Sequence, residues 1–253
     1  MRTSVLAVSL ALLAPATAPA QAAFNETEHV SQTLKLDSGG TLRLKSFSGR
    51  VSITATDRPE VVIDAVRRAP RSRLDRVKLD IHTDGSNVVV IDANRHERSW
   101  YDFSGRDNVV ETDFDIKVPR RTNLDVSVFS AAVTVDGVEG SHSVHGFSSR
   151  LNLSGVTGPI QAHTFSGSVV IREESWEPNQ RIDVDTFSGN VELHLPDSAR
   201  GSVIFNSFSG TLNSEVPLTL QSSNRRSVRA ELGGGGNGSL RFKTFSGSVK
   251  IDR

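Results

Sequence analysis

Residues 159–171 read PIQAHTFSGSVVI and residues 181–193 read RIDVDTFSGNVEL. In both segments apolar residues stand five and three positions before the Phe and four and six positions after it. Apolar residues at every second position predict a β-strand with one buried face. The step from the second apolar position to the Phe is three residues, so the alternation must slip within Thr-Phe-Ser-Gly. A bend at the Gly would provide that slip, because glycine adopts backbone angles that other residues avoid.

Five further segments share this pattern, although Ala131 and Ser149 replace the Gly in two of them. The Phe residues of the seven segments are Phe47, Phe129, Phe147, Phe165, Phe187, Phe208 and Phe245. Phe129, Phe147 and Phe165 follow one another at intervals of 18 residues, and the next two intervals are 22 and 21 residues. A repeat of nearly constant length predicts coils that stack through parallel strands about 4.8 Å apart. We therefore expect an all-β, single-domain β-solenoid with rungs of about 18–22 residues.

The predicted solenoid domain covers residues 23–253 and has two parts. Residues 123–253 contain the regular rungs, whereas residues 54–122 fit the repeat poorly and are expected to form irregular strands and loops. Within the second part, Asp84-Gly85 lies between two apolar runs and predicts a hairpin turn. Residues 67–73, RRAPRSR, are the densest basic stretch. We interpret them as a solvated loop, with contact to anionic envelope polymers or lipid headgroups as the alternative.

The seven repeat Phe side chains are expected to form a ladder inside the coil, with each ring stacked on the next. Burial of a Phe contributes roughly 2 to 3 kcal/mol, and aromatic stacking adds about 1 kcal/mol more. A Ser follows every one of these Phe residues. We interpret the serines as hydrogen-bond partners of the neighbouring backbone at each corner. The alternative is an outward array of hydroxyls like that of ice-binding solenoids.

The N-terminus and the composition indicate an exported protein. Residues 1–22 combine Arg2, a short apolar run and a tail of small residues, which is typical of a secretory signal peptide. No later segment is long and apolar enough to span a bilayer. We therefore expect a periplasmic or secreted protein without a transmembrane anchor. The absence of cysteine excludes disulfides and thiolate metal sites, and equal numbers of basic and acidic residues, 29 each, argue against nucleic acid as a partner.

Several segments resemble the bacterial putative-adhesin family, a family of unknown function. They are the repeated [Thr/Ser]-Phe-Ser-Gly units, the segment IKVP at residues 116–119 leading into NLDV at 123–126, and the glycine run 233–236 before the final repeat. The resemblance covers nearly the whole chain after the signal peptide. It implies an exported β-solenoid with an adhesin-like role, and it carries over no catalytic residues.

Two sets of residues are candidate sites. His145, His163 and Asp185 stand two positions before their Phe, so the rung spacing places them in one column that could bind zinc or copper. We nevertheless predict no metal site, because the other members of the column vary as expected for a solvated strand face; they are Lys45, Ser127, Asn206 and Lys243. The second set, Trp100, Tyr101 and Trp176, lies in predicted loops, where aromatic side chains either contact a ligand or pack against the domain.

No motif for a nucleophile, a phosphate loop, a zinc protease or a dinucleotide site is present in the sequence. Glu173-Glu174 could serve as glycosidase carboxylates, but a solvated loop is the favoured interpretation. We therefore predict a non-enzymatic binding or structural module at the cell envelope, without a cofactor, whose partner is an envelope polysaccharide or another envelope protein. The alternative is an envelope carbohydrate-active enzyme with a site on a loop.

The last repeat ends only two residues after its final apolar position, Ile251. This arrangement predicts an unpaired parallel strand edge at the C-terminus, guarded by charges that include Lys250. We accordingly expect a monomer, with edge-to-edge self-association as the alternative.

Overall fold

The structure is a computed structural model, which describes residues 26–96 and 109–253. The described residues form strands with one short helix, α1 (Arg71–Arg76), so the predicted all-β class is confirmed. The strands are β1 (Glu26–Lys35), β2 (Gly40–Thr56), β3 (Glu60–Ala69), β4 (Val77–Thr83), β5 (Val88–His96), β6 (Glu111–Pro119), β7 (Thr122–Asp136), β8 (His142–Ser154), β9 (Ile160–Arg172), β10 (Arg181–His194), β11 (Gly201–Ser207), β12 (Thr211–Ser214), β13 (Leu218–Asn224), β14 (Ser227–Leu232), β15 (Gly238–Ser246) and β16 (Ser248–Asp252).

All sixteen strands belong to one sheet of mixed parallel and antiparallel pairing. Its central strands β2, β7, β8, β9 and β10 run parallel and neighbour one another in chain order. The register follows the repeat, because Val126 pairs with Val144 and Val144 pairs with Ala162. Equivalent positions of successive repeats therefore lie in columns across the sheet.

The burial pattern locates the core on both sides of the repeat motif. In β9 the inward positions before Phe165 are Ile160, Ala162 and Thr164, and those after it include Val169 and Ile171. Residues from both halves of the strand belong to one hydrophobic cluster, which extends along the chain from Leu36 to Ile251. The alternation slips within the motif as predicted, because Thr164 and Val169 both point inward although they are an odd number of residues apart.

The glycine of the motif allows close approach of neighbouring strands. Gly167 has φ +141°, and a Cβ built on it would lie 1.9 Å from the carbonyl oxygen of Ser149 on β8. At the corners without glycine no such backbone angle is needed, since no non-glycine residue in the described ranges has positive φ. Ser149 instead donates a hydrogen bond from its hydroxyl to the carbonyl oxygen of Phe129, at 3.3 Å.

Residues before β7 extend the sheet with mainly antiparallel strands. β6 pairs parallel with β2, while β3 pairs antiparallel with β6 and β1 pairs antiparallel with β3. β4 and β5 form the hairpin predicted at Asp84-Gly85, where Gly85 has φ +71°. The basic stretch is not a solvated loop. Arg67 and Arg68 belong to β3, where Arg67 is buried and pairs with Glu28 while Arg68 pairs with Asp113 at 2.7 Å.

The last repeat lies inside the sheet. β15 pairs with β10 on one side and β11 on the other, and β16 pairs with β10 and β12. The expectation of an unpaired C-terminal edge is therefore wrong, because the earlier strands β11 and β12 cover it. β14 pairs with β11, and β13 forms the outer strand at this end of the sheet.

Candidate binding groove

The seven repeat Phe rings form one stacked column, called here the aromatic column. Its spatial order is Phe47, Phe129, Phe147, Phe165, Phe187, Phe245 and Phe208. Neighbouring ring centroids are 4.6 to 4.9 Å apart, and the ring planes are inclined by no more than 18°. At the far end, the guanidinium carbon of Arg226 lies 4.6 Å from the centroid of the Phe208 ring.

The aromatic column lies on the surface, which corrects the expectation of a ladder inside the coil. From Phe129 to Phe208 the rings are 42% to 54% exposed. The residue before each Phe occupies the inward position instead, as Thr164, Thr186 and Thr244 do. In the interior the hydroxyl of Thr186 donates a hydrogen bond to the hydroxyl of Thr244, with 3.1 Å between the oxygens. Because alternate side chains of a strand point to opposite faces, an inward Thr requires an outward Phe.

A second column runs beside the rings and is called here the polar column. It consists of Lys45, Ser127, His145, His163, Asp185, Lys243 and Asn206, each two positions before its Phe. A groove runs between the two columns, with Val128 and Thr164 among the residues that line it. Its first section has a volume of about 690 Å³, and a second of about 570 Å³ continues past Asp185 and Phe187 to Phe208 and Arg226. Both volumes are in the usual range of small-molecule sites.

The polar column is only weakly charged in its middle. The imidazole rings of His145 and His163 stack with 5.0 Å between their centroids. Burial, followed by the neighbouring His163 ring, lowers the pKa of His145 and favours the neutral imidazole. Asp185 pairs with Lys243, at 3.5 Å. Among the residues that the structure describes, no group of three or more His, Asp or Glu side chains could hold a metal ion.

The loop aromatics, for which the sequence left ligand contact and packing as alternatives, do not line the groove where the structure describes them. The indole Nε1 of Trp176 donates a hydrogen bond to the carbonyl oxygen of Arg200, at 2.9 Å, and the half-buried ring packs against the core. Trp100 and Tyr101 lie outside the described residues. The serines that follow the Phe residues lie at or near the surface, and among them Ser209 bonds through its hydroxyl to the carbonyl oxygen of Phe245, at 3.4 Å.

The candidate carboxylate pair is split between the interior and the surface. Glu173 is only 5% exposed and accepts a hydrogen bond from the side-chain amide of Gln180, at 3.2 Å, whereas Glu174 is exposed. The interpretation of both as solvated was thus wrong for Glu173. Burial raises the pKa of Glu173 to about 8, so its carboxyl is protonated at neutral pH. Glu173 does not line the groove.

The residue before each Phe is the sequence signal from which the orientation of the rings could have been predicted. In the seven repeats this residue is Ser46, Val128, Gly146, Thr164, Thr186, Ser207 and Thr244. Each side chain is small, as an inward position at a tight corner requires. Reading these residues as a third inward position continues the two apolar positions before them and leaves the Phe outside. Arg226 lies far from any motif in the sequence, and no sequence signal relates it to Phe208.

The chain matches several solved structures of bacterial proteins, one of them with a TM-score of 0.50. The crystal structure of a putative cell adhesion protein from Clostridium sporogenes matches with a TM-score of 0.50 and 10% identity, over 89% of this chain and 99% of that chain. The chain thus has the fold of a protein named for cell adhesion. A putative adhesin from Bacteroides fragilis matches with a TM-score of 0.41 and 9% identity over 88% and 97% of the two chains.

A putative lipid binding protein from Parabacteroides distasonis matches with a TM-score of 0.30 and 9% identity over 92% and 98% of the chains. No family model and no curated protein sequence matches the chain. The fold agrees with the resemblance to the bacterial putative-adhesin family. Within the described ranges, no helix has the length and apolar character needed to cross a membrane.

Proposed function

We propose that the protein is an exported β-solenoid that serves as a non-enzymatic binding module at the cell envelope, and that the aromatic column forms its binding surface. The observation that carries this proposal is the exposure of the rings at 42% to 54%. A continuous apolar surface of this kind is uncommon on soluble proteins and marks sites of interaction. The in-register parallel pairing of β7 to β10 supports the solenoid part, with residues 23–253 as one domain after a signal peptide at 1–22.

The groove offers little for catalysis. A glycosidase needs two carboxyl groups flanking the scissile bond, whereas Asp92 and Asp185 line the first section of the groove near opposite ends, one beside Phe47 and the other beside Phe187. Asp185 is moreover paired with Lys243. The protonated Glu173 is enclosed by its contact with Gln180 and cannot reach a polymer in the groove. These arrangements favour binding over the alternative of a carbohydrate-active enzyme.

The test uses the purified mature protein and isolated cell-envelope fragments, peptidoglycan and a panel of polysaccharides. Co-sedimentation measures binding, and assays of reducing and unsaturated sugar ends measure turnover. We expect binding to the envelope fragments without new sugar ends, and we expect the F147S/F165S double variant to lose at least tenfold in affinity. The matched control is Leu220→Ser, which removes an exposed apolar side chain on β13, away from the groove. Production of new sugar ends, or equal binding by the parent and F147S/F165S, would contradict the proposal.

A further inference from the structure

The faces of the rings in the aromatic column are already occupied. Each ring from Phe129 to Phe245 has a neighbour on both faces at centroid distances of 4.6 to 4.9 Å. A sugar that stacks on an aromatic residue needs an open face, so these inner rings cannot bind a glycan in that way. What they present to the groove is a row of ring edges. The exposed surface is therefore apolar and continuous, without a platform for sugar rings.

The groove also lacks the groups that an extended peptide would need. A peptide brings an N–H and a C=O at nearly every residue, and each requires a partner when it is buried. The backbone of the strands beside the groove is already paired in the sheet, as Val126 with Val144 and Val144 with Ala162 show. A polymethylene chain has no such groups. Because the rings repeat at nearly equal steps, the groove suits a ligand that is itself uniform along its length.

The two ends of the groove differ in charge. Arg226 lies over the last ring, Phe208, and within the described part of the chain no carboxylate pairs with its guanidinium. Lys243 is close to this end but is paired with Asp185. At the opposite end Lys45 and Asp92 together line the groove. An anionic group is therefore favoured at Arg226, where a planar guanidinium can bind a carboxylate through two hydrogen bonds.

We propose that the groove binds a single long-chain fatty acid, with the alkyl chain along the ring edges and the carboxylate at Arg226. This inference rests on the proposed function, since it names the class of ligand for the same surface. Six steps between rings extend over about 29 Å, whereas two acyl chains end to end span the ~30 Å hydrocarbon core of a bilayer. One chain with its carboxylate at Arg226 therefore covers about half of the column, from Phe208 to about Phe165. A flat lipid surface and the identical column of a second copy are the other candidate occupants of this open groove, and the experiments below distinguish them from a single chain.

Fluorescence titration with parinaric acid, a polyunsaturated fatty acid whose fluorescence rises in an apolar site, tests the proposal with the purified mature protein. Competition by saturated acids of 10, 12, 14 and 16 carbons then measures the dependence on chain length. Each added methylene should tighten binding about twofold if only one side of it is buried against the groove, and about fourfold if it is fully buried. The F187S/F245S variant should weaken binding at least tenfold, and Leu220→Ser should leave it unchanged.

Arg226→Gln tests the position of the carboxylate without changing the rings. It should weaken binding of the acid about tenfold and leave binding of the matching fatty alcohol unchanged. An equal effect on acid and alcohol would overturn this assignment. Absence of saturable binding would overturn the whole inference, as would binding only to vesicles of phosphatidylglycerol or occupation of the groove by a second copy in light scattering. Envelope binding that depends on the rings, in a protein that does not bind the acid, would refute the fatty-acid ligand and leave the proposed function standing.

Discussion

Phe245 stacks on Phe187 with 4.8 Å between the ring centroids, although Phe208 comes between them in the sequence. The last repeat therefore lies inside the sheet, and its inward residues pack within the core. Phe242 on β15 is fully buried, whereas Phe245 is 46% exposed. Phe242→Ala should lower the free energy of unfolding by about 3 to 5 kcal/mol, and Phe245→Ala by about 1 to 2 kcal/mol. Urea denaturation of both variants measures the difference, and equal losses would show that the two faces of β15 are assigned incorrectly.

Gly167 and Ser149 occupy equivalent positions on neighbouring strands and should respond differently to alanine. In Gly167→Ala the new Cβ would clash with the Ser149 carbonyl oxygen, and the backbone at φ +141° is unfavourable for alanine. We expect a loss of about 2 to 4 kcal/mol. Ser149→Ala removes the hydroxyl that donates to the carbonyl oxygen of Phe129 and accepts from the N–H of Ala131, two long hydrogen bonds whose loss should cost about 1 kcal/mol. A thermal unfolding comparison in which Gly167→Ala is the milder change would mean that the strands are not packed this closely.

The first of these predictions could not have been made from the alternation of apolar residues alone. The pattern predicted the strands, their parallel register and the column of rings. It left the orientation of the rings ambiguous, because the alternation can slip at either of two places. If it slips between Ala162 and Phe165 the ring points inward, and if it slips between Thr164 and Val169 the ring points outward. Apolar side chains are usually placed inside, and this preference selects the wrong solution for Phe165. Small inward residues such as Thr164 fit the corner where a ring would not, and that is a packing constraint.

The position of the last repeat in the sheet could not be predicted from the sequence either. β11 and β15 both begin a repeat, so either strand could pair with the free edge of β10. The order of the strands in the chain predicts that β11 is the partner of β10. The structure places β15 there, with β11 on its other side. Here the hairpin of β13 and β14 pairs with β11, so β11 is required at the outer position.

Glu173 should make stability depend on pH in the direction opposite to that of an ion-paired carboxylate. Its folded-state pKa of about 8 is above the value in the unfolded chain, so the native protein keeps a proton that the unfolded chain releases between about pH 5 and 8. Its stabilising contribution is thus complete at low pH and is lost as the pH rises, by up to about 1.4 kcal/mol per pH unit. Glu173→Gln should remove this loss.

Urea denaturation midpoints from pH 5 to pH 8 measure the pH-dependent loss of stability that is due to Glu173, as the difference between the parent and Glu173→Gln. The difference is needed because burial lowers the pKa of His142, which makes the fold less stable on acidification over part of the same range. Parallel pH profiles for the two proteins would show that Glu173 is ionised in the fold.

Arg67 and Arg71 both pair with glutamates of β1, but only Arg67 is buried. Replacing Glu28 by Gln leaves the buried Arg67 charge without its partner and should cost about 2 to 4 kcal/mol. Glu26→Gln breaks the exposed pair with Arg71 and should cost less than about 1 kcal/mol. Chemical denaturation in low and high salt distinguishes them, because only the Glu26 pair should be screened. Losses of similar size would indicate that Arg67 remains solvated.

Self-association should depend on β13 rather than on the C-terminal strand. β16 is paired on both sides, and Lys250 is bonded to Glu215 at 2.9 Å and to Asp252 at 2.8 Å. Lys250→Val should therefore stay as monomeric as the parent. Ser223→Val extends the apolar surface on the face of β13 that carries Leu220, which is 64% exposed, and should promote association, because Ser223 and Leu220 pair with Val228 and Ala230 on one face of β14. Light scattering over a concentration series compares the two, and association of Lys250→Val alone would contradict the prediction.

The identical spacing of Phe129, Phe147 and Phe165 has a consequence for how such a chain can evolve. Duplication of one 18-residue unit in this region would add one ring and one step of about 4.8 Å to the column, while the strands at both ends keep their partners. The same event at the C-terminus would have no free strand to join, because β16 already has two neighbours. The length of the aromatic surface is thus a property that gene duplication can change in the middle of the chain without redesign of its ends.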